Sequence, residues 1–183
     1  MKKAIASVAV AISFLTSAPS EAAEYVFTFT GQSSISGSGT LVTSDTINGV
    51  GGYTITSISG IFNNTAISGL LNNPNQPNFS SNATFTWDNN LFPANPFKFN
   101  RYGLGFTAGS TQYNIYDAAA DGASPPNGFP YGLLTNPSSG QSFGRFSITP
   151  VPEPATWAMM IVGFGIVGFA MRARRATSTT VYA

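Results

Sequence analysis

From Glu24 onward the apolar positions recur every second residue. In Tyr25-Val26-Phe27-Thr28-Phe29-Thr30 the aromatic rings fall on one face and smaller residues on the other, the pattern of a half-buried strand, and Gly31-Gln32 ends it. Residues 38–44 (SGTLVTS) and Tyr53–Phe62 (YTITSISGIF) have the same texture and are joined by the glycine-rich turn Asn48-Gly49-Val50-Gly51-Gly52. In the second of these, Tyr53 and Ile55 share a face while Ile58 has the opposite parity, which predicts a bulge or bend near Ser57. A short strand over residues 66–71 leads into residues 72–82, where Pro74, Pro77 and five asparagines favour turns. Ala83-Thr84-Phe85-Thr86-Trp87 then alternates strictly, with Ala83, Phe85 and Trp87 inward, before Asp88-Asn89-Asn90 turns the chain. Residues 91–99 are interrupted by Pro93 and Pro96 and read as an edge or a corner.

Residues 102–107 (YGLGFT) and 112–116 (QYNIY) predict a hairpin closed by Ala108-Gly109-Ser110. Residues 117–142, with Pro125, Pro126, Pro130 and Pro137, read as loop apart from a short strand around 131–134, and residues 143–149 (FGRFSIT) form the last strand. Seven to nine short strands with turn signals about every ten residues, and no helical periodicity between them, predict an all-β ectodomain, an antiparallel β-sandwich.

Two stretches break the alternation. Near the start, Lys2 and Lys3 precede an apolar segment at residues 4–15 and a small-x-small site at Ser20-Glu21-Ala22, the layout of a secretory signal peptide cut after Ala22. Near the end, residues 155–171 form an uncharged apolar run that as a helix would rise about 25 Å, slightly short of the ~30 Å hydrocarbon core. Gly163, Gly165 and Gly168 lie within it. Each costs ~1 kcal/mol in a soluble helix but is common in membrane helices. Arg172, Arg174 and Arg175 follow at once, with the placement of a stop-transfer signal. The chain therefore divides into a signal peptide (1–22), a β ectodomain (23–150), a tail with a single transmembrane helix (151–175) and a cytoplasmic remnant (176–183).

Trimming the ends changes the reading of charge. In residues 23–150, Glu24, Asp45, Asp88, Asp117 and Asp121 face only Lys98, Arg101 and Arg145, five acids against three bases and a net −2, whereas the whole chain is +1. Without a basic patch, nucleic acid is not an expected partner. Cysteine and histidine are both absent, which excludes Ser-His-Asp and Cys-His machinery and the commonest zinc ligands. With no disulfide to staple it, the ectodomain must rely on its apolar core, which 128 residues can supply.

Pro152-Glu153-Pro154, followed by Trp157 and Ala158, the apolar run and the arginines, resembles the PEP-CTERM sorting tail of bacterial exported proteins, in the variant with Trp-Ala shortly after the motif. The prolines fix φ and withhold N–H donors, holding Glu153 extended ahead of the helix, and Trp157 falls at the interface level. The resemblance implies that an exosortase-type processing enzyme reads Pro-Glu-Pro and cuts the anchor. The protein would first be held in the inner membrane of a Gram-negative envelope with its ectodomain in the periplasm, then reach the cell surface or an exopolysaccharide biofilm matrix, as substrate rather than catalyst. SISGIFN, DNNLFP and YGLGFTAG are similar to a pattern recurrent in ectodomains that carry such tails.

No catalytic, cofactor or metal residue is expected. Asp88, Asp117 and Asp121 would have to converge to act as paired carboxylates, and all three sit where aspartate bonds its own backbone. Asp117-Ala-Ala-Ala-Asp121-Gly122 lacks the intermediate ligands and final glutamate of a calcium loop. A structural or adhesive matrix protein is the expected role; the alternatives are a carbohydrate-binding module, which predicts a solvent-facing row of tyrosines drawn from Tyr102, Tyr113, Tyr116 and Tyr131, and a glycoside hydrolase, which predicts two carboxylates converging in a cleft.

Overall fold

The alternation seen in the sequence becomes a sheet that closes on itself. A computed structural model describes residues 23–138, 140–152 and 154–176. Its strands are β1 (Glu24–Gly31), β2 (Ser36–Ile47), β3 (Tyr53–Phe62), β4 (Thr65–Leu70), the short β5 (Ser80–Ser81), β6 (Thr86–Trp87) and β7 (Asn90–Leu91), then β8 (Leu104–Ala108), β9 (Thr111–Asp117), β10 (Tyr131–Asn136) and β11 (Gln141–Pro150). A helix, α1 (Pro154–Ala176), follows. The strands and the helix fall in two separate compact units.

All pairings are antiparallel, in the ring order β1-β2-β3-β4-β8-β9-β10-β11, and β11 returns to β1 through seven registered pairs from Tyr25–Pro150 to Gly31–Gly144. The result is a closed eight-stranded up-and-down barrel, not the sandwich that the strand pattern predicts. Alternation fixes which side chains point inward; it carries no information on which strand lies beside which. Here the first strand bonds the last, so no edge is left to split the sheet in two. Eight strands enclose a lumen just wide enough for side chains to fill. Phe27, Phe29, Phe62, Phe106, Tyr113, Tyr131 and Phe146 fill it, with Leu41, Ile55, Ile58, Leu104, Ile115 and Leu133.

The bulge read from parity is present. Val42 opposes Ser57 and Thr43 opposes Ile55, leaving Thr56 as the extra residue, so Ile55 and Ile58 both point inward. Farther along the same pair, Gly39 lies opposite Gly60. A Cβ on Gly39 would stand 1.8 Å from the Ser59 carbonyl oxygen, and Gly60 has φ 130°, so neither position admits a side chain. Gly39→Ala is expected to lower stability by about 3 kcal/mol through forced separation of β2 from β3. Gly49→Ala, whose Cβ would meet nothing nearer than 3.8 Å, serves as the control. Equal urea midpoints for the two variants would contradict this account.

The two ends of the barrel differ. One carries the tight connections β1–β2, β3–β4, β8–β9 and β10–β11; Asn63 and Asn64 turn the second of these with φ 49° and 61°, the type I′ signature. The other end carries the 48–52 turn, the long excursion 71–103, residues 118–130 and both ends of the barrel's chain. Within the excursion the strand expected over residues 83–87 shrinks to Thr86–Trp87, paired with Ser80–Ser81. Phe85 and Trp87 do point inward, but into a second cluster with Leu71 and Leu134 on the outer wall rather than into the lumen. Leu91 and Phe99 reach the main core.

Helix α1 begins at Pro154, where a missing N–H costs nothing. Met159, Met160, Ile161 and Val162 are consecutive and all exposed. At 100° per residue they make the helix apolar around its whole circumference. Among the described residues, no helix is long and apolar enough to cross a membrane. That differs from the transmembrane helix expected from the sequence: the uncharged stretch of α1, residues 155–171, rises about 25 Å against ~30 Å of hydrocarbon. The signal peptide with Ala22, and residues 177–183 of the remnant, lie outside the described residues.

Candidate functional site

The long connections at the open end are held by one polar knot. Asp88, Asn89 and Asn90, read from the sequence as a turn, are all buried. Each side chain ties down a different element. Asp88 Oδ1 accepts from the Asn90 N–H (3.1 Å) and Oδ2 from Asn100 Nδ2 (2.5 Å), while Asn100 Oδ1 accepts from the Tyr102 and Gly103 N–H groups. Asn89 Nδ2 donates to the Leu71 carbonyl (3.0 Å) and its Oδ1 accepts from the Gly105 N–H (2.8 Å), fastening the excursion to the barrel wall. Asn90 Nδ2 donates to the Pro77 carbonyl (2.9 Å), and its Oδ1 accepts from Asn48 of the β2–β3 turn (2.7 Å). Burial pushes the Asp88 carboxyl above its ordinary range, against the opposing pull of the Asn100 and Asn90 hydrogen bonds.

Out of this knot rises the loop Phe92-Pro93-Ala94-Asn95-Pro96-Phe97. Lys98 closes it from below: its ammonium donates to the Pro93 carbonyl (2.7 Å) and the Asn95 carbonyl (2.6 Å), and its backbone N–H donates to Tyr131 Oη (2.8 Å). The Phe92 N–H returns to the Lys98 carbonyl (2.9 Å). With two prolines and four hydrogen bonds, the loop is set before any ligand arrives.

A depression lies on either side of it. The first, about 370 Å³, is lined by Phe92, Asn95, Pro96, Phe97, Phe99, Asn100, Asp117 and Ala120. The second, about 270 Å³, is lined by Tyr25, Ile47, Gly51, Tyr53, Phe92, Pro93, Ala94 and Asn95. Phe92 and Asn95 line both, so the two depressions adjoin as lobes on the two sides of this loop, referred to below as the groove. Burial, and after it the neighbouring Tyr53, holds the Tyr25 phenol above its ordinary range.

The three aspartates singled out in the sequence do not work together. Asp88 is inside the knot. Asp117 closes a turn, its Oδ1 accepting from the Ala119 N–H (3.1 Å) and Ala120 N–H (3.3 Å), and borders the first lobe. Asp121 pairs at the surface with Arg101 at 3.3 Å. Among the described residues, no three acidic side chains gather where a cation could sit.

The expected row of exposed tyrosines is not found. Tyr113 and Tyr131 fill the lumen, and Tyr116 lies buried over Gly132 with its hydroxyl accepting from Gln141 (2.6 Å). Only Tyr102 is partly open, stacked on Phe79 at 4.4 Å. The aromatics that line the groove are others: Tyr25, Tyr53, Phe92 and Phe97. Alternation assigned Tyr25 to the core face, and the usable signal was the mirror-like FPANPF, an aromatic beside each of two prolines.

At the same end, β11 stays paired to Pro150, and the Val151 N–H donates to the Glu24 carbonyl (2.8 Å). Pro152 is exposed and Pro154 opens α1; Glu153 lies outside the described residues. Trp157, Ala158 and Arg172 are exposed on the helix, and Arg174 and Arg175 belong to its last turns. The family model of the PEP-CTERM protein-sorting motif matches residues 150–175. The chain carries a PEP-CTERM sorting motif. That motif marks an exported, membrane-associated protein targeted to an exosortase-type enzyme. No match was found among curated proteins or among solved structures.

Proposed function

We propose that α1 anchors the exported chain in the inner membrane, with the barrel in the periplasm, until an exosortase-type enzyme acts at Pro152-Glu153-Pro154. The barrel then serves a non-catalytic, structural or adhesive role at the cell surface or in an exopolysaccharide biofilm matrix. The observation that carries this reading is the family match over residues 150–175, on a helix whose apolar side chains cover its whole circumference. A helix apolar all round is stable in a protein core or in lipid, and these side chains are exposed. With Met171 and Arg172 at its far end, residues 155–171 reach most of a bilayer's thickness, and arginine snorkelling makes up the remainder. A non-catalytic role is supported by the separate commitments of Asp88, Asp117 and Asp121 to knot, turn and surface pair. A carbohydrate-binding role for the barrel is favoured by one observation, the aromatic groove at its loop end.

Replacing Pro152, Glu153 and Pro154 together by alanine is expected to leave the protein at its larger, uncut size and in the inner-membrane fraction. Immunoblots of fractionated cells, with and without the processing enzyme, read both. A triple variant that matures and distributes like the parent would overturn the sorting assignment.

A further inference from the structure

We propose that the two-lobed groove at the barrel's loop end binds a neutral polysaccharide chain, one stretch of sugar rings crossing both lobes over the Phe92–Asn95 ridge. This rests on the carbohydrate-binding reading of the barrel and adds its location, its ligand class and its contacts.

The lining selects the ligand. Tyr25 and Tyr53 in one lobe and Phe97 in the other, with Phe92 shared, offer aromatic surface in both lobes, which suits the weakly polar C–H faces of pyranose rings. Phe97 keeps 41% of its surface exposed although it sits among apolar neighbours. The lobes, about 370 and 270 Å³, lie near the lower end of the ~300–1,000 Å³ range of small-molecule sites, a size for one or two rings each. Apart from the tyrosine hydroxyls, polar side chains in the lining are few: Asn95 in both lobes, with Asn100 and Asp117 in the first. Asn95 stands on the ridge, and Asp117, 8% exposed, borders the first lobe. Asp117 spends Oδ1 on its turn, while Oδ2 accepts no hydrogen bond among the described residues and is available to a sugar hydroxyl.

Charge narrows the class further. The Lys98 ammonium is held under the loop by the Pro93 and Asn95 carbonyls, and neither lobe is lined by a basic residue. A phosphate, a uronate or a sulfated polymer would find no basic side chain in either lining and would meet Asp117 and an ectodomain of net charge −2. An extended peptide would look for a free sheet edge; the eight barrel strands offer none, and β7 beside the groove, two residues long, is too short to template one. The Lys98 staple and two prolines leave little loop motion to freeze, which lowers the ordering cost of binding.

The test is affinity electrophoresis of the full chain in detergent, in native gels containing hydroxyethyl cellulose, dextran or galactomannan, with alginate as the anionic comparison. At least one neutral polymer should retard the protein and alginate should not. Phe97→Ala and Tyr53→Ala should each weaken the retardation about tenfold, Tyr53→Phe should preserve it, and Asp117→Asn should weaken it about threefold. Unchanged urea midpoints for Phe97→Ala and Tyr53→Phe exclude misfolding as the cause. Retardation that survives both alanine substitutions would overturn the groove while leaving carbohydrate binding by the barrel in place. No retardation in any neutral gel, or retardation by alginate alone, would overturn both. Neither result bears on sorting, which is read from size and location.

Discussion

Phe62→Ala will cost the barrel about 3–5 kcal/mol, a large part of the 5–15 kcal/mol that holds a typical domain together. Phe62 has no exposed surface and packs its ring against Phe29 at 5.3 Å, Phe106 at 5.0 Å and Tyr113 at 4.8 Å. It also lies across Gly37, where a Cβ would stand 2.2 Å from the ring, so the strand opposite has no side chain with which to refill the space. The void left by truncation would be bounded by rings already fixed on three other strands, and the cost should sit near the top of the range. The neighbouring Ile61 points outward and is 55% exposed, so Ile61→Ala should change stability by no more than ~0.5 kcal/mol. Urea unfolding followed by Trp87 fluorescence in a Trp157→Phe background measures both. A cost below about 1 kcal/mol for Phe62→Ala would mean that the lumen is not packed as described.

That contrast between adjacent residues is also the part of the fold the sequence displays most plainly. Period-two alternation put Phe27 and Phe29 inside, and parity located the β3 bulge within a residue of Thr56. The hairpin around Gly109 could be read because its turn residues are local. What alternation does not encode is partnership. The pairing of Tyr25 with Pro150 spans most of the chain, and nothing near either residue announces it. β10 was legible only in part: the short strand expected around 131–134 extends to Asn136, up to Pro137, and the surrounding proline content hides its length. Trp87 shows the same limit: its inward direction was legible, but it serves the outer cluster, and only the fold reveals that the barrel wall has a second layer there. The sorting tail was legible because its signal is contiguous. The groove was not, since Tyr25, Tyr53, Phe92 and Phe97 lie on three segments that the β1–β2–β3 pairings and the return of the long excursion to β3 bring to one end.

The knot beneath that groove is where a single polar substitution should act furthest. Asp88→Ala leaves the Asn90 N–H and the Asn100 Nδ2 group without acceptors in a site that is 2% exposed, and each orphaned donor costs about 1–3 kcal/mol. Asn100 cannot turn to compensate, because its Oδ1 already holds the Tyr102 and Gly103 N–H groups. Asp88→Asn restores the shape but replaces one acceptor with a donor, so one of the same two groups stays unpaired. Its cost should depend on pH in a defined direction. Burial raises the native carboxyl above the unfolded value of 3.8, so between that value and the raised one the folded chain binds a proton the unfolded chain has released. The contribution of Asp88 to stability is therefore fully present below pH 3.8 and declines as the pH rises through its native value. Asparagine does not titrate, so the penalty of Asp88→Asn should be larger at pH 3 than at pH 7, and urea midpoints of parent and variant across that interval measure the difference. A penalty that grows toward neutral pH would show that the hydrogen bonds from Asn100 and Asn90 outweigh burial. The knot would then be an anchor for an ionised carboxylate rather than a desolvated one.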